Sequence, residues 1–255
     1  MNKICLTIQY DGTNYKGWQR QPDTVTIQGA LESALVRICG EDISVISSGR
    51  TDTGVHALCQ SATFSTISVH SPQVFMRALN AILPRDIRIL DAYAVPLDFH
   101  PRYNAQKKRY FYIIKNDHIE SALLDRYLWQ IKKTLDMEKI VEASRRIIGI
   151  HDFKAFSAAN SDIKESVREV FIVDIEQLNS INFMFTNLTG NFIKITIEAN
   201  GFLRHMVRNI VGTLVEVGKY KILPHQIDSI LKSKDRKTAG PTAPAKGLFL
   251  EKVYY

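Results

Sequence analysis

Cysteine is scarce in this 255-residue chain: Cys5, Cys39 and Cys59 are odd in number, far apart and never in C-x-x-C spacing. That excludes a disulfide framework and a cysteine-rich zinc site, and it fits a reducing, cytoplasmic setting. The histidines (His56, His70, His100, His118, His151, His205 and His225) are scattered and never form H-E-x-x-H, so a zinc deaminase or hydrolase is not expected. G-x-G-x-x-G is missing, which removes support for a dinucleotide fold. Between Gly240 and Gly247 the lysine, Lys246, precedes the glycine and no Ser or Thr follows, so this is not a Walker loop. No apolar run approaches the ~18–20 residues of a membrane span. The opening MNKICLTIQY is too short and alternating for a signal peptide. The expectation is a soluble, cytoplasmic protein with no membrane association.

Net charge is also missing from the first part of the chain. Residues 1–105 hold nine basic and nine acidic side chains, whereas residues 106–255 hold 24 basic against 17 acidic, which accounts for the whole formal charge of +7. A basic surface suits a polyanion, because each Lys or Arg facing a phosphate releases condensed counterions. With 45% hydrophobic and 23% charged residues, the chain has enough apolar side chains to bury a sizeable core.

Periodicity organises the chain. Lys3 to Tyr10 alternates as a half-buried strand, and apolar positions from Ile27 to Ile38 recur at helical spacing. Ile43 to Ser47 and Cys59 to Thr66 read as strands on either side of a polar loop, followed by a helix over 72–83 behind Pro72 and a strand from Ile87 to Val95. The second half gives a strand at Arg109–Lys115, a helix at 138–148 and a strand at 167–178. Strand pairs over 181–199 are expected to break at Thr189-Gly190-Asn191. A strongly apolar helix over 202–217, a short helix from Ile227 and a closing strand at 247–253 complete the pattern. The class is α+β, with antiparallel sheets flanked by helices. Pro96, Pro101 and Lys107-Lys108-Arg109 interrupt the periodic elements, so two domains, 1–105 and 106–255, are expected.

The segment Gly49-Arg50-Thr51-Asp52-Thr53-Gly54-Val55-His56-Ala57 puts a carboxylate, a guanidinium, an imidazole and two glycines on one loop between strands. Polar groups on a loop held by a rigid sheet suit chemistry, although a Gly/Asp turn capping its own backbone has the same composition. His56 is open to two readings, an RNA contact or a loop histidine bonded to backbone.

This segment resembles the catalytic motif of the tRNA pseudouridine synthase A family, which shares its fold with the other pseudouridine synthases. The likeness continues through Tyr10-Asp11-Gly12, Tyr15-Lys16-Gly17-Trp18-Gln19, Lys108-Arg109-Tyr110-Phe111-Tyr112, Phe202 to Gly212 and Ala239 to Leu248, in that order along nearly the whole chain. The resemblance implies two similar domains whose sheets join into one extended antiparallel sheet across an active-site cleft. It also implies a homodimer that binds tRNA and modifies uridines 38, 39 and 40 of the anticodon stem-loop.

By the same resemblance Asp52 is the nucleophile, Tyr110 stacks on the target base, and Arg208 is the cationic partner that keeps Asp52 ionised in a site dried by substrate. Converting uridine to pseudouridine breaks N1–C1′, turns the base, forms C5–C1′ and releases the C5 proton. Nothing else leaves, so no cofactor is expected. A carboxylate can attack C1′ or abstract a sugar proton, and the sequence is compatible with both. Arg50 is assigned to the space left by the extruded base, with His56, Lys107, Lys108, Arg204 and Leu248 as further RNA or substrate contacts. Arg204 and Arg208, four residues apart, are expected to share a helix face. Arg109, Lys232, Lys234, Arg236 and Lys237 are candidates for a phosphate track. A non-catalytic RNA-binding α+β module, with Asp52 an ordinary turn residue, is the alternative; it accounts for the basic half but not for the order of motifs.

Overall fold

Strand β1 (Asn2–Tyr10) realises the first alternation: Ile4, Leu6, Ile8 and Tyr10 are buried while Gln9 faces solvent. The computed structural model describes residues 1–159 and 165–255. Helix α1 (Ile27–Cys39) begins where Thr26 Oγ1 accepts the Gly29 N–H at 3.2 Å, and it ends at Gly40, whose φ of 71° is the left-handed conformation glycine adopts cheaply. Strand β2 (Ile46–Ser47) is shorter than its apolar run suggested, and β3 (His56–Thr66) starts three residues earlier than expected, which puts His56 in the sheet. Helix α2 (Pro72–Ile82) has proline at its first position, where the missing N–H costs nothing. Strand β4 (Ile87–Ala94) follows.

Further along the chain come β5 (Lys107–Lys115), β6 (Trp129–Gln130), α3 (Met137–Arg145), β7 (Gly149–Asp152), β8 (Val167–Phe183), β9 (Thr186–Ala199), α4 (Met206–Gly218), α5 (Gln226–Ser233) and β10 (Leu248–Tyr254). The chain divides into two compact units, Met1–Lys108 with Phe249–Tyr255, and Arg109–Leu248. The closing strand thus belongs largely with the first unit, although its sequence position lies in the second half.

In the first unit the strands run in the order β4-β1-β3-β10, with β2 on β3. β1 is antiparallel to both β3 and β4, with Ile4 opposite Phe64 on one side and Ala94 on the other. β10 lies parallel to β3, pairing Phe249 with His56 and Leu250 with Ala57, and this corrects the expected all-antiparallel arrangement. Parallel neighbours need a long crossover, and here the crossover is the whole intervening chain. α2 packs on β4 and α1 on α2, and Phe64 meets Phe75 edge to face at 5.2 Å.

In the second unit the order is β5-β9-β8-β7, with β6 parallel to β5. β8 and β9 form one long hairpin that turns at Met184-Phe185, both with positive φ. The expected break at Thr189-Gly190-Asn191 is absent. Gly190 instead lies within β9 opposite the register shift between Leu178 and Ser180, the bulge that a glycine inside a strand commonly marks. α4 is buried along nearly its whole length and packs against α3. It begins at Met206, four residues later than its apolar pattern suggested, because His205 adopts φ 64°.

Candidate active site

The Asp52 loop is held by backbone contacts from a distant stretch of sequence. Asp52 is half-buried, and its carbonyl accepts the Val55 N–H at 3.1 Å, closing a turn that Gly54 completes at φ 76°. The preceding Thr51 is gripped twice: its hydroxyl lies 2.8 Å from that of Tyr10, and its carbonyl accepts the Trp18 N–H at 3.0 Å. Burial pushes the Tyr10 phenol up to about 12, so it keeps its proton well into the alkaline range.

Two glycines bring the N-terminal segment against this loop. A Cβ at Gly12 would sit 2.0 Å from the Val55 carbonyl oxygen, and one at Gly17 would sit 2.7 Å from that of Thr51. Gly17 also has φ 86°, which a side chain would strain. The segments Tyr10-Asp11-Gly12 and Gly17-Trp18 therefore act as a brace, a role that sequence alone left unassigned.

His56 lies within this brace. Its ring is 2% exposed and stacked on Phe249 at 4.7 Å. Its Nδ1 accepts the Gly12 N–H at 3.1 Å and lies 3.1 Å from Asp11 Oδ1. Of the two readings the sequence allowed, this geometry matches the backbone-bonded histidine. Arg50, by contrast, is exposed at the loop's outer edge. Lys108 Nζ donates to the Ser48 carbonyl just before the loop, and Lys107 Nζ lies 4.6 Å from the centroid of the Tyr254 ring.

In the second unit Tyr110 sits on β5, 8% exposed, with Phe202 edge-on to its ring at 5.0 Å. Tyr112, two residues on along the same strand, is fully buried: its hydroxyl donates to the Pro244 carbonyl at 2.8 Å and burial raises its pKa. Arg208 is half-buried in the first turn of α4, where its Nε–H donates to the Ala243 carbonyl at 2.8 Å. Arg204 is exposed and precedes the helix, so it does not stack one turn from Arg208 as expected; the left-handed His205 separates them. Leu248 is buried at the start of β10.

The basic residues divide by what they touch. Arg109 reaches the buried Glu198 with Nε at 2.9 Å and Nη2 at 2.8 Å, and Arg236 reaches Asn209 and Thr242. Lys234 pairs with Asp152 at 2.9 Å, whereas Lys232 and Lys237 are exposed. Among the described residues no group of three or more His, Cys, Asp or Glu side chains is disposed to hold a metal, and no helix is long and apolar enough to cross a membrane.

The profile of the family described as tRNA pseudouridine synthase matches residues 6–104 and 143–255, most of the chain. The chain belongs to the tRNA pseudouridine synthase family. It is 44% identical over 255 residues to tRNA pseudouridine synthase A of Thermoanaerobacter sp. (strain X514), with both chains covered in full. It is 41% identical to the Myxococcus xanthus protein of that name, covering all of this chain and 92% of that one. Among solved structures, the archaeal box H/ACA sRNP Nop10-Cbf5 complex gives a TM-score of 0.34 at 11% identity, over 92% of this chain and 59% of that chain, a likeness too slight to carry weight. As a member of this family the chain is an isomerase that turns uridine into pseudouridine. The profile spans Asp52 and Arg208. Tyr110 lies in the gap between its two stretches but within the full-length alignment to the Thermoanaerobacter relative.

Proposed function

We propose that the substrate is the anticodon stem-loop of tRNA, that the uridines modified are 38, 39 and 40, and that Asp52 is the nucleophile. The observation that carries the nucleophile is the brace. Asp52 is the carboxylate on a turn whose backbone is held by the Trp18 N–H and the close approach of Gly12 and Gly17, with the neighbouring Thr51 hydroxyl fixed by that of Tyr10, and a reacting group must be fixed to within a fraction of an ångström. Tyr110 supplies a flat platform for the extruded base, since stacking tolerates a uracil turning in its own plane. Arg208 supplies the positive charge that keeps Asp52 ionised once water is excluded. Residues from both halves of the chain act on one uridine.

Arg50, exposed beside the nucleophile, fills the stack left by the flipped base. Lys107, Lys108 and the exposed Arg204 line the RNA path, and Leu248 packs beneath the substrate; the buried His56 holds the loop that RNA approaches. Two copies of the chain form the active species in the cytoplasm, one gripping the tRNA body while the other presents the catalytic loop. The excess of positive charge in the second half supports a polyanionic partner such as tRNA.

Mapping pseudouridine in tRNA transcripts after treatment with the protein tests the substrate assignment. Product at 38, 39 or 40, and none when those uridines are replaced by cytidine, is the expected result. Product confined to another arm of the tRNA contradicts it.

A further inference from the structure

Arg208 is locked to the segment that follows Arg236 by backbone as well as side chain. Its Nε–H donates to the Ala243 carbonyl at 2.8 Å, and the Ala243 N–H donates back to the Arg208 carbonyl at 3.1 Å. The approach is close because two glycines allow it. A Cβ at Gly212 would lie 1.7 Å from the Pro241 carbonyl oxygen, and one at Gly240 would lie 2.7 Å from the Thr213 Cα. The Gly240 N–H donates to Thr213 Oγ1 at 2.9 Å, so residues 240–243 form a strap laid along the first turns of α4.

One polar cluster fixes that strap. Thr242 Oγ1 donates to Asn209 Oδ1 at 2.7 Å, and Arg236 Nη2 donates to both Asn209 Oδ1 and Thr242 Oγ1 at 3.1 Å. Arg236 Nη1 donates to the Ala239 carbonyl at 3.2 Å. The fully buried Asn209 thus accepts twice at Oδ1 and donates its two amide N–H groups to the carbonyls of Phe156 and Ser157, at 2.7 and 3.0 Å. Every valence of that amide is occupied, so its orientation and that of the threonine hydroxyl are fixed together.

We propose that Arg236 and Thr242 are positioning residues for the reaction: they hold the strap that presents the Ala243 carbonyl to Arg208, and so set the direction of its guanidinium. The proposal rests on the assignment of Arg208 to the reaction. It removes Arg236 from the phosphate track. A phosphate-binding arginine lowers affinity for all tRNAs when lost and takes about one unit off the salt slope. A positioning arginine lowers turnover and leaves binding alone.

The test measures kcat and tRNA affinity for Thr242→Val, Arg236→Lys, Arg208→Ala and the double variant Arg208→Ala/Thr242→Val in the full chain. Thr242→Val conserves volume and deletes the hydroxyl; Arg236→Lys keeps the charge and deletes the fork. Each is expected to lower kcat roughly ten- to hundredfold, with affinity within about twofold of the parent, as a small misplacement of a reacting group does. On the Arg208→Ala background, Thr242→Val is expected to cost nothing further, because its effect passes through the missing guanidinium. Full additivity in the double variant overturns the proposal, as does weaker tRNA binding at unchanged kcat. If Arg208→Ala itself turns over normally, the assignment of Arg208 fails. If Arg208→Ala is impaired while Thr242→Val and Arg236→Lys are not, only the positioning role fails.

Discussion

Gly12 approaches Val55 so closely that a Cβ at position 12 would lie 2.0 Å from the Val55 carbonyl oxygen. The two residues are 43 positions apart, yet their backbones form one wall of the turn that carries Asp52. Gly12→Ala is therefore expected to push β3 and the loop apart, costing about 1–3 kcal/mol of stability by overpacking and most of the turnover. Gly40→Ala is the control, because position 40 has open space and only its φ of 71° to strain. It should cost stability and spare the rate. Urea unfolding and turnover assays on both variants check this, and wild-type turnover in Gly12→Ala contradicts the brace.

The buried Tyr10 phenol makes the brace sensitive to alkali. Its pKa is pushed up to about 12 by burial, above the 10.0 of an exposed tyrosine. The folded state therefore keeps a proton that the unfolded state gives up. The stabilisation is complete below pH 10 and is lost as pH rises through about 12. Tyr10→Phe, which cannot ionise, is expected to unfold with a shallower alkaline limb, measured as stability against pH from 8 to 12. A limb as steep as the parent's excludes Tyr10 as a contributor.

Arg109 carries its charge to Glu198, which is 2% exposed and receives two guanidinium contacts. Arg109→Ala is expected to behave as a folding mutation: roughly 3–5 kcal/mol is lost because a buried carboxylate is stripped of a main partner. The salt slope of tRNA binding should stay that of the parent. Denaturant unfolding together with binding across salt concentrations checks both; a lower slope at unchanged stability would place Arg109 on phosphate instead.

Arg208→Lys keeps a positive charge but has no Nε–H to donate to Ala243 and no planar fork. Turnover is expected to fall nearly as far as in Arg208→Ala, on the order of 10²–10³, with a much smaller change in affinity. Single-turnover kinetics with saturating protein separate the two effects. Full activity in the lysine variant would mean that charge alone suffices.

The longer periodic elements were legible in the sequence. β1, α1, α2 and β4 lie close to where their apolar spacing put them, because each buries one face against its own unit. What escaped is what spacing cannot encode. β6 and β7 are too short for a period to register. The start of α4 is hidden because Phe202 and Leu203 continue its apolar rhythm back across His205, whose left-handed φ keeps the helix from beginning before Met206. The hairpin turn leaves no mark in the sequence because Met184 and Phe185 are not turn formers, whereas Gly190 reads as one. The parallel pairing of β10 with β3 joins the end of the chain to His56, and no local pattern announces it. The functional site divides in the same way. Asp52, Tyr110 and Arg208 are proposed through the resemblance to the family, whereas the contacts that brace the Asp52 loop, from Tyr10, Gly12 and Trp18, and the Thr242–Asn209 bond join residues far apart in sequence.

Release of tritium from tRNA labelled at C5 of uridine tests the central claim most directly, since forming the C5–C1′ bond must expel that hydrogen to water. Release is expected from the parent protein without added cofactor and from neither Asp52→Asn nor Asp52→Ala, with tRNA binding retained by both variants. Release that persists in both would show that Asp52 is not the nucleophile.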